Sequence, residues 1–242
     1  MSHNIELKEG AFVVADAHFS HNRPQFLSFL EAIKELKPPQ LILVGDIFDA
    51  LFGEVPFTHT QNKEAIELLN AISKEIEVVY LEGNHDFNLN HIFLDAKIFP
   101  IKKQPVEFRF KDKKILIAHG DINNTAKYNM YTSLIRNRYF LYFLAFIDVL
   151  LGHNILKKLD EYLSKKNDCK DFIGFENFIS QRLDQKYSCD YFIEGHFHQN
   201  KIFKLYNYKY TNLGAFACNQ RYYIVKSLSQ TEFLLEENFF KR

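Results

Sequence analysis

Five apolar runs in this chain break off on residues that can hold a metal ion, and that pattern constrains the fold more than any other feature. Leu41-Ile42-Leu43-Val44 reads as a buried strand that stops at Gly45 and delivers Asp46 at its C-terminal end. Asp16 and His18 follow the run 11–15, Asn84 and His85 follow 77–81, His119 follows 114–118, and His196 and His198 follow 189–193. In open α/β sheets the carboxyl ends of the strands are where ligands bind. Five such ends meeting in one crevice would make a metal site.

The segments between these runs set the fold class. Residues 24–36 place Phe26, Leu27, Leu30, Ile33 and Leu36 at helical spacing, and Pro38-Pro39 closes that helix. After the strand at 41–44 comes a loop through Gly53 and Pro56. A second helix from about Thr60 carries Ala65, Ile66, Leu68, Leu69 and Ile72 on its apolar side. The order βαβαβ predicts a largely parallel sheet with helices on its faces. Residues 96–101, 106–110 and 114–118 read as strands of a second sheet. From 123 to 186 no strand signal survives, and two or three helices rich in Tyr, Phe and Leu form an inserted cap of about residues 123–187. The runs 201–206, 208–212, 221–227 and 232–235 then alternate like a hairpin-rich sheet. The expectation is an α/β fold, one domain over residues 1–242.

Composition excludes several alternatives. At 242 residues, 47% hydrophobic and 25% charged, the chain can bury a core and is neither disordered nor fibrous. Lys plus Arg balances Asp plus Glu at 30 each, which gives no support to a nucleic-acid partner. Cys169, Cys189 and Cys218 are odd in number, lack metal-type spacing, and read as thiols of a reducing compartment. The first residues show no basic stretch followed by an apolar one, so the expected location is cytoplasmic. The longest apolar run, 139–151, is interrupted by Asp148 and falls short of the roughly 20 residues a span requires. It is suited to lying along a membrane surface.

Each Asp or His at a strand end would, alone, read as a turn residue. Five of ten histidines gathered at such ends read as one centre, while His21, His59, His91 and His153 read as surface or loop residues. Imidazole and oxygen donors without thiolate suit manganese, iron, zinc or magnesium. A carboxylate shared by two such ions leaves the site net positive, which attracts phosphate. Two ions about 3.5–4 Å apart can hold a bridging hydroxide and stabilise in-line displacement at phosphorus. The expected reaction is hydrolysis of a phosphoester or pyrophosphate.

In order and in full, Asp16-Ala17-His18, Gly45-Asp46-Ile47-Phe48-Asp49, Gly83-Asn84-His85-Asp86, His119 and Gly195-His196-Phe197-His198 resemble the five-block pattern of the calcineurin-like metallophosphoesterases. The resemblance covers essentially the whole chain and implies a four-layer α/β/β/α sandwich with a two-metal centre. It implies Asp16, His18, Asp46 and His198 around one ion, and Asp46, Asn84, His119 and His196 around the other. It also implies that His85 meets the scissile phosphate, oriented by Asp86, with Asp49 and Asp121 behind the ligands. The two divalent ions expected are manganese first, then iron, zinc or magnesium.

Within that superfamily the layout resembles the UDP-2,3-diacylglucosamine diphosphatases of lipid A synthesis. The likeness lies in size, in Gly83-Asn84-His85-Asp86-Phe87, in His119-Gly120-Asp121, and in the helical insertion before Gly195. The best-known branch has Arg where this chain has His85, and Gln199-Asn200 stands where Arg-Pro is expected. The resemblance implies cleavage of a lipid-linked nucleotide diphosphate to UMP and an acylated sugar 1-phosphate, at the cytoplasmic face of the inner membrane. The apolar cap residues, with Lys127, Arg136, Arg138, Lys157 and Lys158 beside them, suit an acylated substrate at an anionic surface. Asn84, Lys127, Tyr128, Tyr131 and Arg136 are the expected substrate contacts. The alternatives are a soluble nucleotide or phosphodiester substrate, and a scaffold that keeps the fold for protein binding.

Overall fold

The computed structural model describes residues 5–121, 126–183, 187–228 and 232–240, and of 126–129 the backbone alone. The first half runs β1 (Ile5–Glu6), β2 (Phe12–Val14), α1 (Gln25–Leu36), β3 (Gln40–Val44), β4 (Leu51–Phe52), α2 (Pro56–Gln61), α3 (Lys63–Ser73), β5 (Glu77–Leu81), β6 (Asp86–Phe87), β7 (Lys97–Phe99), β8 (Val106–Phe110) and β9 (Lys113–Ala118). Four helices follow: α4 (Ala126–Ile135), α5 (Arg138–Leu150), α6 (Asn154–Lys165) and α7 (Phe175–Leu183). The chain then returns through β10 (Tyr191–Glu194), β11 (Lys201–Leu205), β12 (Tyr208–Asn212), α8 (Phe216–Asn219), β13 (Arg221–Ser227) and β14 (Phe233–Phe239).

Alternation along the strands decides the layering. In β3, Ile42 and Val44 enter one apolar cluster while Leu41 and Leu43 enter another; Val13 and Val14 of β2 divide in the same way. A strand buried on both faces must be covered on both. One sheet, β14-β13-β2-β3-β5-β7, shares an interior with the other, β1-β8-β9-β10-β12-β11, where Ile42, Val44 and Val79 meet Phe108, Ile117 and Ile193. On the outer side of the first sheet lies α1, which buries Phe26, Phe29, Leu30 and Ile33, and α3, which buries Ala65, Leu69 and Ile72. These are the i, i+3, i+4, i+7 positions of a one-sided helix, and each large side chain so buried contributes about 1.5–3 kcal/mol. The second sheet is covered by α7 through Phe175, Ile179 and Leu183. The result is the four-layer sandwich expected from the resemblance.

Several local readings are corrected. The segment taken as a loop through Pro56 contains α2, because proline is well accommodated at the first helical position, where its missing N–H is not needed. Strand β7 belongs to the first sheet, parallel to β5, and not to the second. The connection from β5 is long enough for a parallel crossover, which strand propensity alone cannot reveal. Four helices stand where two or three were read. Asp148, which interrupts the apolar run, turns back to accept the N–H groups of Ile155 and Leu156 at 2.9 and 3.1 Å, satisfying the first turn of α6. Cys169 and Cys218 form a disulfide, so the free-thiol reading holds only for Cys189. With the partners 49 positions apart, spacing gave no sign of it. No single described helix is long and apolar enough to cross a membrane.

Candidate metal centre

Strands β2, β3 and β5 are parallel neighbours in one sheet, and β9 and β10 are parallel neighbours in the other. Their C-terminal ends therefore lie together, and the residues just beyond them meet. Asp16 and His18 follow β2, Asp46 follows β3, Asn84 and His85 follow β5, His119 follows β9, and His196 and His198 follow β10. Space there is tight: a Cβ on Gly45, at φ +72°, would collide with the His119 ring, and one on Gly83 would collide with the Asp46 carboxylate.

The backbone is strained where these side chains converge. Asp16, His18, Asp46, His196 and His198 all sit at positive φ, between 46° and 63°. Such a conformation costs a non-glycine residue on the order of 1 kcal/mol, and its concentration in one place marks a site whose side chains are aimed by the fold.

Ligand atoms gather in three overlapping groups, each within 4.8 Å: Asp16, His18 and His198; His18, Asp46 and His85; Asp46, His119 and His196. The imidazoles are oriented from behind. Nδ1–H of His198 donates to Asp168 O at 2.6 Å, that of His85 to Asp49 O at 2.8 Å, and that of His119 to Val44 O at 3.0 Å. His18 Nδ1 lies 3.1 Å from the Asp49 carboxylate. A carbonyl only accepts, so Nδ1 carries the proton and Nε2 presents its lone pair inward, the tautomer a metal requires. His198 Nε2 then lies 3.2 Å from Asp16, His119 Nε2 lies 3.3 Å from Asp46 and 3.2 Å from Asn84 Oδ1, and His18 Nε2 has no hydrogen-bond partner.

Electrostatics at the centre favour cations. Burial alone would discharge Asp46, yet His119, His85 and His18 hold its carboxyl well below the usual range. Burial likewise opposes a charge on His119, but Asp46, with Asp16 and Asp121 behind it, pushes that imidazole well up. Burial and the neighbouring His119 drive His196 down to about 4, so it stays neutral and free to ligate. The attraction that favours a proton on His119 also favours a divalent ion in its place. The donor set, buried at Asp16, His18, Asp46 and His119 and part-buried at Asn84, His196 and His198, with neither His18 nitrogen hydrogen-bonded, fits such ions.

A sequence model of the calcineurin-like phosphoesterases matches residues 11–200. The chain belongs to that family. It is a metal-dependent hydrolase of phosphoester or pyrophosphate bonds. It is 21% identical over 198 residues to a UDP-2,3-diacylglucosamine hydrolase of Histophilus somni strain 2336, covering 79% of this chain and 85% of that one. With a protein of the same name from Pseudomonas fluorescens Pf0-1 it shares 25% over 200 residues, 80% of this chain and 81% of the relative. A third, from Psychromonas ingrahamii, is 31% identical over 113 residues, 45% of this chain and 46% of its own length.

Not every expected role of this phosphoesterase has the expected contacts. Asp86 was expected to orient His85, but its described hydrogen bonds go elsewhere. Its carboxylate accepts from the N–H groups of Asp46, Ile47, Phe48 and Gly83, between 2.6 and 3.3 Å, and from the Tyr80 hydroxyl at 2.6 Å. Asp86 therefore fastens the turn carrying Asp46 to the turn carrying Asn84. Burial and the Asp46 charge push its carboxyl up to about 7. Orientation of His85 falls to Asp49, whose carbonyl holds the ring and whose carboxylate backs His18.

Of the expected substrate contacts, Tyr131 is exposed and lines a cleft with Asn84 and His85. Arg136 is engaged with Asp121 at 2.9 Å and with Gly83 O at 3.1 Å, and is mostly buried. The side chains of Lys127 and Tyr128 lie outside the described residues. The sequence reading missed Gln104, whose Oε1 accepts from His119 N–H at 2.6 Å, and Asn212, which holds Gly195 O and Gln199 N–H. It also missed Asp168, in a polar loop with no local signal. Asn212, which ends the run 208–212, carried the only available hint.

Proposed function

We propose that this phosphoesterase cleaves the pyrophosphate of UDP-2,3-diacylglucosamine, or of a similar lipid-linked nucleotide diphosphate, to UMP and an acylated sugar 1-phosphate. The observation that carries the reading is an apolar cleft of 340 Å³ beside the centre. Asn84 and His85 line it together with Phe52, Phe87, Leu141, Leu144, Leu159 and Leu163. Such a lining suits an acyl chain, whose burial is favourable by about 0.8 kcal/mol per methylene. The similarity to proteins named UDP-2,3-diacylglucosamine hydrolase supports the same substrate class.

Asp16, His18, Asp46 and His198 would hold one divalent ion, and Asp46, Asn84, His119 and His196 a second; imidazole and oxygen donors suit manganese, taken first here, as well as iron, zinc or magnesium. When bound, such ions supply an activated water and neutralise charge on the phosphoryl oxygens. His85 works from Nε2, because its Nδ1–H is given to Asp49 O. A proton on that nitrogen would be donated to a phosphoryl oxygen or to the departing group, and the Asp46 carboxylate lies 4.0 Å from it.

Helix α5 supports a membrane-surface setting for the reaction. Leu141, Leu144 and Ala145 face the cleft, while Tyr139, Tyr142, Phe143, Phe146, Val149 and Leu150 form an exposed stripe at helical spacing. Exposed Arg138, Lys157 and Lys158 nearby suit anionic headgroups. The location proposed is the cytoplasmic face of the inner membrane. The Cys169–Cys218 bond sets a condition on it, since cytosolic thiol pools keep most cysteines reduced. Alkylation of intact cells followed by peptide mapping reads which form the protein carries.

A polar cavity of 1180 Å³, lined by Asn88, Lys102, Gln104, Asp121 and Arg136, favours a second reading, a soluble nucleotide or phosphodiester substrate. One experiment separates the two. The protein is incubated with manganese and UDP-diacylglucosamine in detergent and oxygen-18 water, beside a parallel assay on UDP-N-acetylglucosamine. The lipid-linked substrate is expected to give UMP and sugar phosphate, with one oxygen-18 atom in one of the products. Equal turnover of the soluble nucleotide would replace the first reading with the second.

A further inference from the structure

Two arginines at opposite ends of the inserted helices grip the same half of the metal centre in the same manner. Arg136, just beyond α4, donates to Gly83 O at 3.1 Å, pairs with Asp121 at 2.9 Å and lies 5.4 Å over the Phe87 ring. Arg182, in α7, donates to Gly120 O at 3.3 Å, pairs with Glu194 and lies 5.1 Å over the Phe197 ring. Gly83 precedes Asn84, Gly120 follows His119, and Glu194 and Phe197 flank His196 in sequence. The arginine side chains are only 14% and 10% exposed, and those of Asp121 and Glu194 are fully buried. Each guanidinium thus meets a glycine carbonyl, a buried carboxylate and a ring face at once. That combination needs a planar fork and not a point charge.

We infer that Arg136 and Arg182 are positioning residues that hold Asn84, His119 and His196 in ligand geometry and couple the seating of the inserted helices to that half of the centre. The inference rests on the two-metal reading above. The other half has separate support: His198 is held by Asp168 O, and the Asp49 carboxylate lies 3.1 Å from His18 Nδ1. An arginine that merely pinned a helix to the core would have no need of a carbonyl next to a ligand residue, and here both have one. The half held by the arginines is also the half reached by Gln104, which accepts from His119 N–H. The two ions therefore differ in what their ligands depend on.

Calorimetric titration of the metal-stripped protein with Mn²⁺ tests this. The wild type is expected to take up two ions. Arg136→Met and Arg182→Met should each weaken one of the two sites by about 10- to 100-fold, the usual effect of removing a group behind a ligand, and leave the other unchanged. Turnover of bis(4-nitrophenyl) phosphate, too small to need the inserted helices, should fall in parallel and return at saturating Mn²⁺. Arg182→Met strands Glu194 in the interior, so Arg182→Met with Glu194→Gln repeats the measurement without the uncompensated charge. Thermal melts establish that each variant is folded. Unchanged affinity at both sites in a folded variant overturns the inference, as does equal weakening of both. A wild type that binds no Mn²⁺ overturns the two-metal reading itself, and this inference with it.

Discussion

The carbonyl of Asp168 accepts the Nδ1–H of His198 at 2.6 Å, so a loop between two inserted helices sets which nitrogen the residue at the end of β10 turns toward the centre. That loop is pinned twice more. Arg23 pairs with the Asp168 carboxylate at 2.9 Å, and Cys169 is bonded to Cys218 of α8. Helix α8 in turn donates the Ala217 N–H to Asp16 O at 3.1 Å. Asp16 and His198, which share one ligand group, are thereby backed by the two ends of one disulfide-closed unit.

Breaking that link with Cys218→Ser should cost about 2–4 kcal/mol of stability, the usual effect of a disulfide that closes a long loop. It should also weaken Mn²⁺ binding at the Asp16–His18–His198 group by about tenfold. Thermal melts with and without dithiothreitol check the first part: the reductant should lower the wild-type midpoint and leave the variant unmoved. A wild-type midpoint indifferent to dithiothreitol would rule the disulfide out as a stabilising element.

His85 and Asp86 adjoin in sequence but their contacts separate their roles. His85→Asn should lower kcat by about 10²–10⁴-fold, the range for a lost proton donor, with metal content unchanged by elemental analysis. The loss of one ion in the same variant would instead move His85 among the ligands, since its nitrogen lies within 4.8 Å of a His18 nitrogen and an Asp46 carboxylate oxygen.

The ends of β2, β3, β5, β9 and β10 were legible because each joins a run of period-two or continuous apolar residues to a donor side chain, a local signal. The α1 and α3 faces were legible for the same reason, since helical spacing is written in the neighbouring residues. Asp168 was not, because its use depends on a carbonyl meeting a ring 30 residues away. Arg182 was hidden likewise: nothing in α7 marks one arginine as facing Gly120 O and not water. Asp86 was visible as part of a motif but assigned to the wrong partner. A carboxylate that gathers backbone N–H groups from two turns is defined by how those turns meet, which no single stretch encodes.

Glu77 supplies a pH-dependent contribution remote from the centre. Partial burial works against its charge, but Lys8 at 2.8 Å and Lys97 at 2.6 Å hold its carboxyl below the ordinary 4.5. Because the folded value is the lower one, the stabilisation is in full above that ordinary value and is lost as pH falls through the depressed one. Both lysines are substantially exposed, which limits the pairs to about 1 kcal/mol or less together. Urea unfolding of Glu77→Gln should show this deficit at pH 7 and a smaller one at pH 3; a deficit undiminished in acid would assign it to packing.

The stripe on α5 is the sharpest exposed feature of the fold. Phe143 and Phe146 are 57% and 61% exposed, one turn apart on a helix whose opposite side already lines the cleft, so the core has no further use for them. A half-exposed phenylalanine that becomes covered gains roughly 1–1.5 kcal/mol, about tenfold in affinity for each residue. Phe143→Glu with Phe146→Glu should therefore cut sedimentation with phosphatidylglycerol vesicles by about 100-fold. Its melting point should stay near wild type, since no packed neighbour is removed. Turnover of bis(4-nitrophenyl) phosphate should also hold, because the substitutions sit on the face turned away from Asn84 and His85. If vesicle binding is unaffected while the sedimentation velocity of the wild type falls to that of a monomer in the variant, the stripe is covered by a second copy of the chain. The lipid-facing assignment of α5 then fails, although the cleft on its other side keeps its claim to the acyl chain.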